Sequence, residues 1–277
     1  MLIISDWFKE NIDGEGTLVV DLEATEKHFT ETKCPRPYIF WQSEPDKMMP
    51  KIRPYILENY HLYDWVMTSD QPVLTGCPNS VYFNGAENWV TKEEYESIDV
   101  SKKQYKISTI VGGKTKCPGH ILRLTLCGNI AKIRNLDVFH SSQCPPTHLL
   151  KNPRGIIYET KMPLFENYKY SLVIENSQQI NYFTEKLIDC LLTKTLPIYY
   201  GCPNICEFFN TTGWVILPNT DVHTCVTTIN SLSDCYYGSI DAIEQNYCTA
   251  RRYLDGKKRL AKLVHELQHL INPTIYI

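Results

Sequence analysis

Short apolar runs recur along the whole chain, at residues 2–4, 18–22, 38–41, 65–67, 107–111, 136–139, 171–174, 196–200 and 215–217. Each has the length of a strand, and several lead into stretches of helical periodicity, notably 119–133, 184–194, 222–232 and 258–271. Strands that alternate with helices build parallel sheets covered by helices. A chain of 277 residues has room for two such domains. The polar, charged stretch 91–104 (TKEEYESIDVSKKQ) is the candidate linker between them. The expected architecture is α/β: two small Rossmann-like domains facing a cleft, with ligands gathered at the carboxyl ends of the strands.

Bulk properties narrow the partners. A net charge of −3 offers no general attraction to nucleic acid, so any anionic ligand has to be held locally. The eleven cysteines contain no C-x-x-C pair, and they read as free, buried thiols of a reducing compartment rather than a disulfide framework. The opening residues MLIISDWFKE break their apolar run at Ser5 and Asp6, unlike a signal peptide or an anchor. A soluble, cytoplasmic protein without a membrane span is the expectation.

Two motifs are decoys. His265-Glu266-Leu267-Gln268-His269 matches the zinc-protease pattern H-E-x-x-H. Its histidines, however, lie nearly opposite the apolar stripe formed by Leu260, Leu263, Val264, Leu267, Leu270 and Ile271, so they read as a solvated helix face. Gly112-Gly113-Lys114-Thr115 imitates the end of a phosphate-binding P-loop. Ser108 stands where that loop needs glycine, and Cys117-Pro118-Gly119 delays the following helix. A turn after a strand is the reading.

The informative stretch is 173–201, VIENSQQINYFTEKLIDCLLTKTLPIYYG. It begins and ends as an apolar strand, with an amphipathic helix between, whose stripe is Leu187, Ile188, Leu191 and Leu192. The turn from strand to helix gathers Glu175, Asn176, Gln178, Gln179, Asn181, Tyr182, Glu185 and Lys186. Thr184 is a candidate N-cap, which puts Glu185 and Lys186 in the first turn. Lys186 opposes the helix dipole there, and its placement makes sense if the ammonium reaches an external anion such as a phosphate.

Residues 170–178 (YSLVIENSQ), 182–189 (YFTEKLID) and 195–201 (TLPIYYG) resemble the α1,3-fucosyltransferase signature of glycosyltransferase family 10. That signature reads roughly F-x-L-x-F-E-N-S, Y-V-T-E-K and T-x-P-[IV]-x-x-G. The resemblance implies the GT-B fold, with an N-terminal acceptor-binding domain over 1–100 and a C-terminal donor-binding domain over 101–277. It also implies inverting transfer of a sugar, L-fucose from GDP-fucose foremost, to a hydroxyl of a glycan acceptor. Donor-binding roles fall on Asn176, Tyr182, Glu185 and Lys186, with Glu185 accepting from the ribose and Tyr182 and Lys186 holding the diphosphate. Arg123, in GHILRLTL, fits the place of the family's diphosphate-binding arginine, with Arg134 as the alternative. Residues 38–44 (YIFWQSE) resemble a second family motif, a strand ending in W/Y-T-G-E, whose glutamate is the proposed catalytic base. That points to Glu44, although Gln42 and Ser43 replace the usual T-G.

No Asp-x-Asp occurs, so phosphate charge falls to Arg123, Lys186 and helix N–H groups, and neither an essential metal nor another cofactor is expected. The family's Gly-rich segment is replaced by Phe139-His140-Ser141-Ser142-Gln143, which leaves room for another donor such as UDP-xylose. A non-catalytic sugar- or nucleotide-binding module is the competing class, and retention of Glu44 beside Arg123 and Lys186 favours the enzyme. Trp41, Tyr55, Tyr60, Tyr63, Trp65, Tyr82 and Trp89 read mainly as core aromatics, with stacking on sugars as the other option.

Overall fold

The computed structural model describes residues 1–6, 8, 12, 15–144 and 153–271. The chain divides into two compact units. Unit 1 comprises Met1–Gly85, Gln179–Tyr182 and Asp255–Ile277, and unit 2 comprises Ala86–Gln178 and Phe183–Leu254. The boundary expected near residue 100 thus falls inside unit 2. The stretch read as a linker is folded there: helix α4 (Lys92–Glu96) starts on a capping box in which Thr91 and Glu94 exchange hydrogen bonds of 2.7 and 3.3 Å. Its polarity reflects a short helix that buries one face, through Tyr95, and exposes the rest.

In unit 1, strands β1 (Leu2–Ile4), β2 (Thr17–Val20), β3 (Tyr38–Gln42), β4 (Trp65–Thr68) and β5 (Ser80–Tyr82) pair in parallel and in chain order. A sheet wound one way keeps its connecting helices on one face. Accordingly, Phe29 of α1 (Glu26–Glu31), Ile52 and Ile56 of α2 (Ile52–Asn59) and Val73 of α3 (Gln71–Gly76) share one core with Val19, Phe40 and Val66. The opposite face carries Leu18, Val20, Ile39, Trp41 and Met67. It is covered by Leu260, Val264 and Leu267 of α9 (Gly256–Ile271), from the far end of the sequence. His265 and His269 point into solvent on that helix, as their phase predicts. Leu270 does too, at 67% exposure, so the buried stripe is narrower than the sequence suggested.

Unit 2 has a six-stranded sheet in the order β11-β10-β9-β6-β7-β8. Its strands are β6 (Gln104–Val111), β7 (Leu136–Ser141), β8 (Gly155–Ile157), β9 (Tyr168–Ile174), β10 (Leu196–Tyr200) and β11 (Val215–Ile216), all paired in parallel. This is the doubly wound order, in which the winding reverses between β6 and β9. Every residue of β9 is buried, as the apolar run predicts for a strand covered on both faces. One face packs against α6 (Glu185–Leu192), the other against α5 (Pro118–Gly128) and α7 (Val222–Asn230), and α8 (Ile240–Ala250) gives Ala250 to the first core and Ile243 to the second. The helix expected over 119–133 stops at Gly128, and Asn129 leaves the helical region before a short 3-10 turn at Ile130–Lys132.

The carboxyl ends of β6 and β9 are drawn together by α5. Gly119, in its first turn, donates its N–H to the Asn176 carbonyl at 3.0 Å. A methyl group at Gly119 would run into the Glu175 carbonyl oxygen and stand 2.9 Å from that of Asn176. Both obstacles are backbone, so neither can swing aside. Gly119→Ala should therefore cost about 1–3 kcal/mol in chemical denaturation through overpacking. Gly128→Ala, at the other end of the same helix with nothing within 4 Å of its added methyl, should be neutral or gain up to about 1 kcal/mol. Equal stability of the two variants would contradict this packing.

Candidate functional site

The site in unit 2 is built around a carboxylate that water does not reach. Glu175 follows β9 directly and is fully buried. Its N–H donates to the Tyr200 carbonyl at 2.8 Å, so the sheet pairing continues one residue past the strand. Its two carboxylate oxygens accept from the Thr184 N–H at 2.9 Å and the Thr184 hydroxyl at 2.7 Å. Gly201 closes the cage: a methyl there would stand 2.6 Å from the Glu175 side chain and would also meet the Tyr199 hydroxyl. The glycine ending the motif 195–201 thus makes room for the glutamate of the motif 170–178.

Thr184 caps α6 as its sequence predicts, and its hydroxyl faces the Lys186 N–H at 3.4 Å. The Lys186 ammonium lies 3.1 Å from that hydroxyl, 3.1 Å from Glu185 Oε1 and 3.9 Å from Glu175 Oε2. Burial works against the charge on Lys186, but Glu185 and Glu175 outweigh it and raise its pKa. Burial likewise opposes ionisation of Glu185, yet Lys186 and Lys161 prevail and hold its carboxyl at about 2. For Glu175 the balance reverses: burial raises its pKa against the pull of Lys186. The first turn of α6 therefore carries a fixed ammonium and a fixed carboxylate side by side, at a helix N-terminus suited to anions.

Arg123, on α5, reaches the same edge. Its guanidinium donates to the Ile174 carbonyl, the last of β9, and its charge bears on Lys186. Asn176, 9% exposed, adjoins α5 as well, through its carbonyl to Gly119 and its side chain to His120. Burial, followed by Arg123, depresses the His120 pKa to about 4, so the imidazole is neutral at ordinary pH. Arg134, by contrast, lies exposed just before β7, at the amino end of a strand. Arg123, Asn176, Glu185 and Lys186 thus gather on one edge of unit 2.

Glu44 and Tyr182 belong to unit 1. Glu44 is half-buried in the turn after β3. The carboxylate of Asp21, just past β2, shapes that turn by accepting from the Ser43 N–H at 2.9 Å and from the Ser43 hydroxyl, with the Glu44 N–H at 3.5 Å. Burial, with Glu44 adding, pushes the Asp21 carboxyl up to about 6 against the Ser43 bonds. Gln42, where the family motif has threonine, is also accounted for. Its amide spans Thr68 at 2.8 Å and Asp70 at 3.1 Å, and Asp70 in turn binds Arg53 at 2.8 Å. Tyr182 is 5% exposed, in a segment held by bonds from the Asp46 N–H to Gln179 at 2.9 Å and from Asn84 to the Asn181 carbonyl at 2.9 Å.

Two charged neighbours of the cluster were not singled out in the sequence, Lys161 and Asp189. Lys161 lies 3.7 Å from Glu185 and 3.4 Å from Asp189. Asp189, one turn into α6 and fully buried, accepts the N–H groups of Trp89 at 2.7 Å and Val90 at 3.1 Å. Trp89 itself is 59% exposed rather than core. Asp189 stood within the quoted motif, at the helix spacing from Glu185 that puts both on one face. Lys161 carries no local signal, because it arrives from a separate turn. Among the described residues, no group of three or more His, Cys, Asp or Glu gathers as a metal site, and no helix is long and apolar enough to cross a membrane.

Residues 100–217 match the family model described as glycosyltransferase family 10 (fucosyltransferase) C-term. Alpha-(1,3)-fucosyltransferase FucT of Helicobacter pylori is 36% identical over 66 residues, 24% of this chain and 14% of that protein. Alpha-(1,3)-fucosyltransferase B of Drosophila melanogaster is 25% identical over 230 residues, 80% of this chain and 52% of that protein. The chain therefore spans about half the length of one curated relative and less of the other. A crystal structure of an alpha1,3-fucosyltransferase with GDP-fucose aligns at a TM-score of 0.52 and 18% identity, covering 94% of this chain and 79% of that one. An α,α-trehalose-phosphate synthase (UDP-forming) from Burkholderia vietnamiensis aligns at 0.60 and 9% identity, covering 94% and 74%. Likeness at such low identity speaks for the fold alone, and that fold is GT-B. The signature turn around α6 thus lies within residues 100–217, the stretch that matches the C-terminal model of glycosyltransferase family 10, the fucosyltransferase family, in a chain with the GT-B fold.

Proposed function

We propose that the chain transfers a sugar, L-fucose from GDP-fucose, to a hydroxyl of a glycan acceptor, with inversion at the anomeric carbon. The observation that carries this reading is the pairing of Lys186 with Glu185 on the buried Glu175–Thr184 anchor, beside Arg123, at the carboxyl edge where the winding of the sheet reverses. Likeness to alpha-(1,3)-fucosyltransferases adds the donor class, since one such protein is solved with GDP-fucose.

Each residue then has a distinct task. Lys186 and Arg123 meet the diphosphate, the guanidinium offering paired donors and the ammonium a point charge. Glu185, held ionised by Lys186 and Lys161, accepts from the ribose hydroxyls. Tyr182 and Asn176 complete the donor set. As the bond from the anomeric carbon to the phosphate oxygen breaks, its electron pair leaves with GDP. Arg123 and Lys186 then stabilise the added charge. The acceptor oxygen bonds to the anomeric carbon from the opposite face through an oxocarbenium-like transition state, and its proton passes to Glu44. Residues 1–85, which carry Glu44, would hold the acceptor, and the family domain the donor. In this scheme the protein's own cations meet the phosphate charge, so donor binding should survive EDTA.

Lys186→Ala and Arg123→Ala should each weaken GDP binding roughly ten- to a hundredfold in calorimetry, since a lost charge-assisted hydrogen bond costs roughly 1.5–3 kcal/mol. His265→Ala, on the exposed face of α9, should leave it unchanged. Undiminished affinity in both charge variants would return the cluster to a purely structural role. Glu44→Gln keeps the shape of the side chain but cannot take the proton. Transfer should fall by roughly 10²–10⁴-fold while GDP affinity persists. Wild-type turnover by that variant would remove Glu44 as the base.

A further inference from the structure

We propose that Trp89 is the stacking platform for the nucleobase of the donor, an inference that rests on the donor-site reading of Glu185 and Lys186. Trp89 is a large aromatic residue left 59% exposed, yet its backbone N–H is held by a buried carboxylate. The fully buried Asp189 carboxylate accepts the Trp89 N–H at 2.7 Å and the Val90 N–H at 3.1 Å, and the Val90 side chain is itself fully buried. An indole fixed in place and left in water contributes little to the stability of the unit. It suits a surface kept ready for a ligand.

Its position identifies that ligand. The Lys161 ammonium lies 3.7 Å from the centre of the Trp89 ring, 3.4 Å from Asp189 Oδ2 and 3.7 Å from Glu185 Oε1. A single ammonium therefore touches the indole and the carboxylate assigned to the ribose. In a nucleoside diphosphate the base is one glycosidic bond from the ribose, so a ribose held at Glu185 presents its base to the surroundings of Lys161. Lys161 occupies part of the indole by a cation–π contact, and its charge is balanced by Glu185 and Asp189. The rest of the ring is open to a planar partner. A purine, the larger π-surface, gains most from such a platform.

Calorimetry with GDP and with inorganic pyrophosphate, which has no base, tests this directly. Stacking on one aromatic side chain is worth roughly five- to a hundredfold in affinity. Trp89→Ala should weaken GDP binding by that factor and leave pyrophosphate binding unchanged, and Trp89→Phe should restore most of the loss. Wild-type GDP affinity in Trp89→Ala overturns the inference. So does an equal loss for GDP and pyrophosphate, which would make Trp89 a support for the charge cluster. If the wild-type protein binds neither, the donor-site reading fails and this inference with it, an outcome distinct from the other two.

Discussion

A carboxylate enclosed by protein costs free energy unless its charge is matched and its oxygens are satisfied. Glu175 meets this constraint by taking both donors of Thr184 and standing 3.9 Å from the Lys186 ammonium. Much else depends on it. The sheet has to extend one residue past β9, glycine has to stand at 201 to leave space, and α6 has to begin at the residue after Thr184. Glycine is required again at 119, where α5 rests against the Glu175 and Asn176 carbonyls. The glutamate side chain thus holds the start of α6, and the backbone of residues 175 and 176 holds the start of α5. Removing its partners singly would leave an uncompensated charge inside the protein.

Around this anchor the charges alternate. Lys186 and Lys161 are interleaved with Glu175, Glu185 and Asp189; the two ammonium groups hold Glu185 ionised, while burial raises the pKa of Glu175 and Asp189. Such a cluster is preorganised. It would need little rearrangement to exchange a carboxylate partner for the diphosphate proposed above, on a chain whose net charge of −3 offers no general attraction to anions. The turn carrying Glu44 in unit 1 is arranged on the same principle. A buried carboxylate, Asp21, shapes the turn, and a half-buried one, Glu44, stands beside it as the base proposed above.

Much of this was legible in the sequence because the signals were local. The stripe Leu187, Ile188, Leu191 and Leu192 is buried, Thr184 caps α6, and the long apolar run of β9 lies at the centre of its sheet. Strands β5 and β8 have three residues each and too little pattern to be read. The first segment of unit 1 ends at Gly85, ahead of the polar stretch that suggested a linker, and α4 in that stretch hides its single inward residue among charges. Long-range relations were beyond reach. Nothing local says that α9 closes the open face of the first sheet, or that Lys161 comes to lie between Glu185 and Trp89. Glu175 was visible as one polar residue among many, and its burial could not be read from a turn so rich in hydrogen-bonding side chains.

The central claim is that the anchor at Glu175 builds a nucleotide-diphosphate site from α5, α6 and the end of β9. Hydrogen exchange read by mass spectrometry, with and without saturating GDP, addresses it without substituting any residue. Slowed exchange concentrated in peptides covering residues 112–124 and 174–190 is the result this account predicts. Protection confined to other parts of the chain, with these segments exchanging as they do in the free protein, would contradict it.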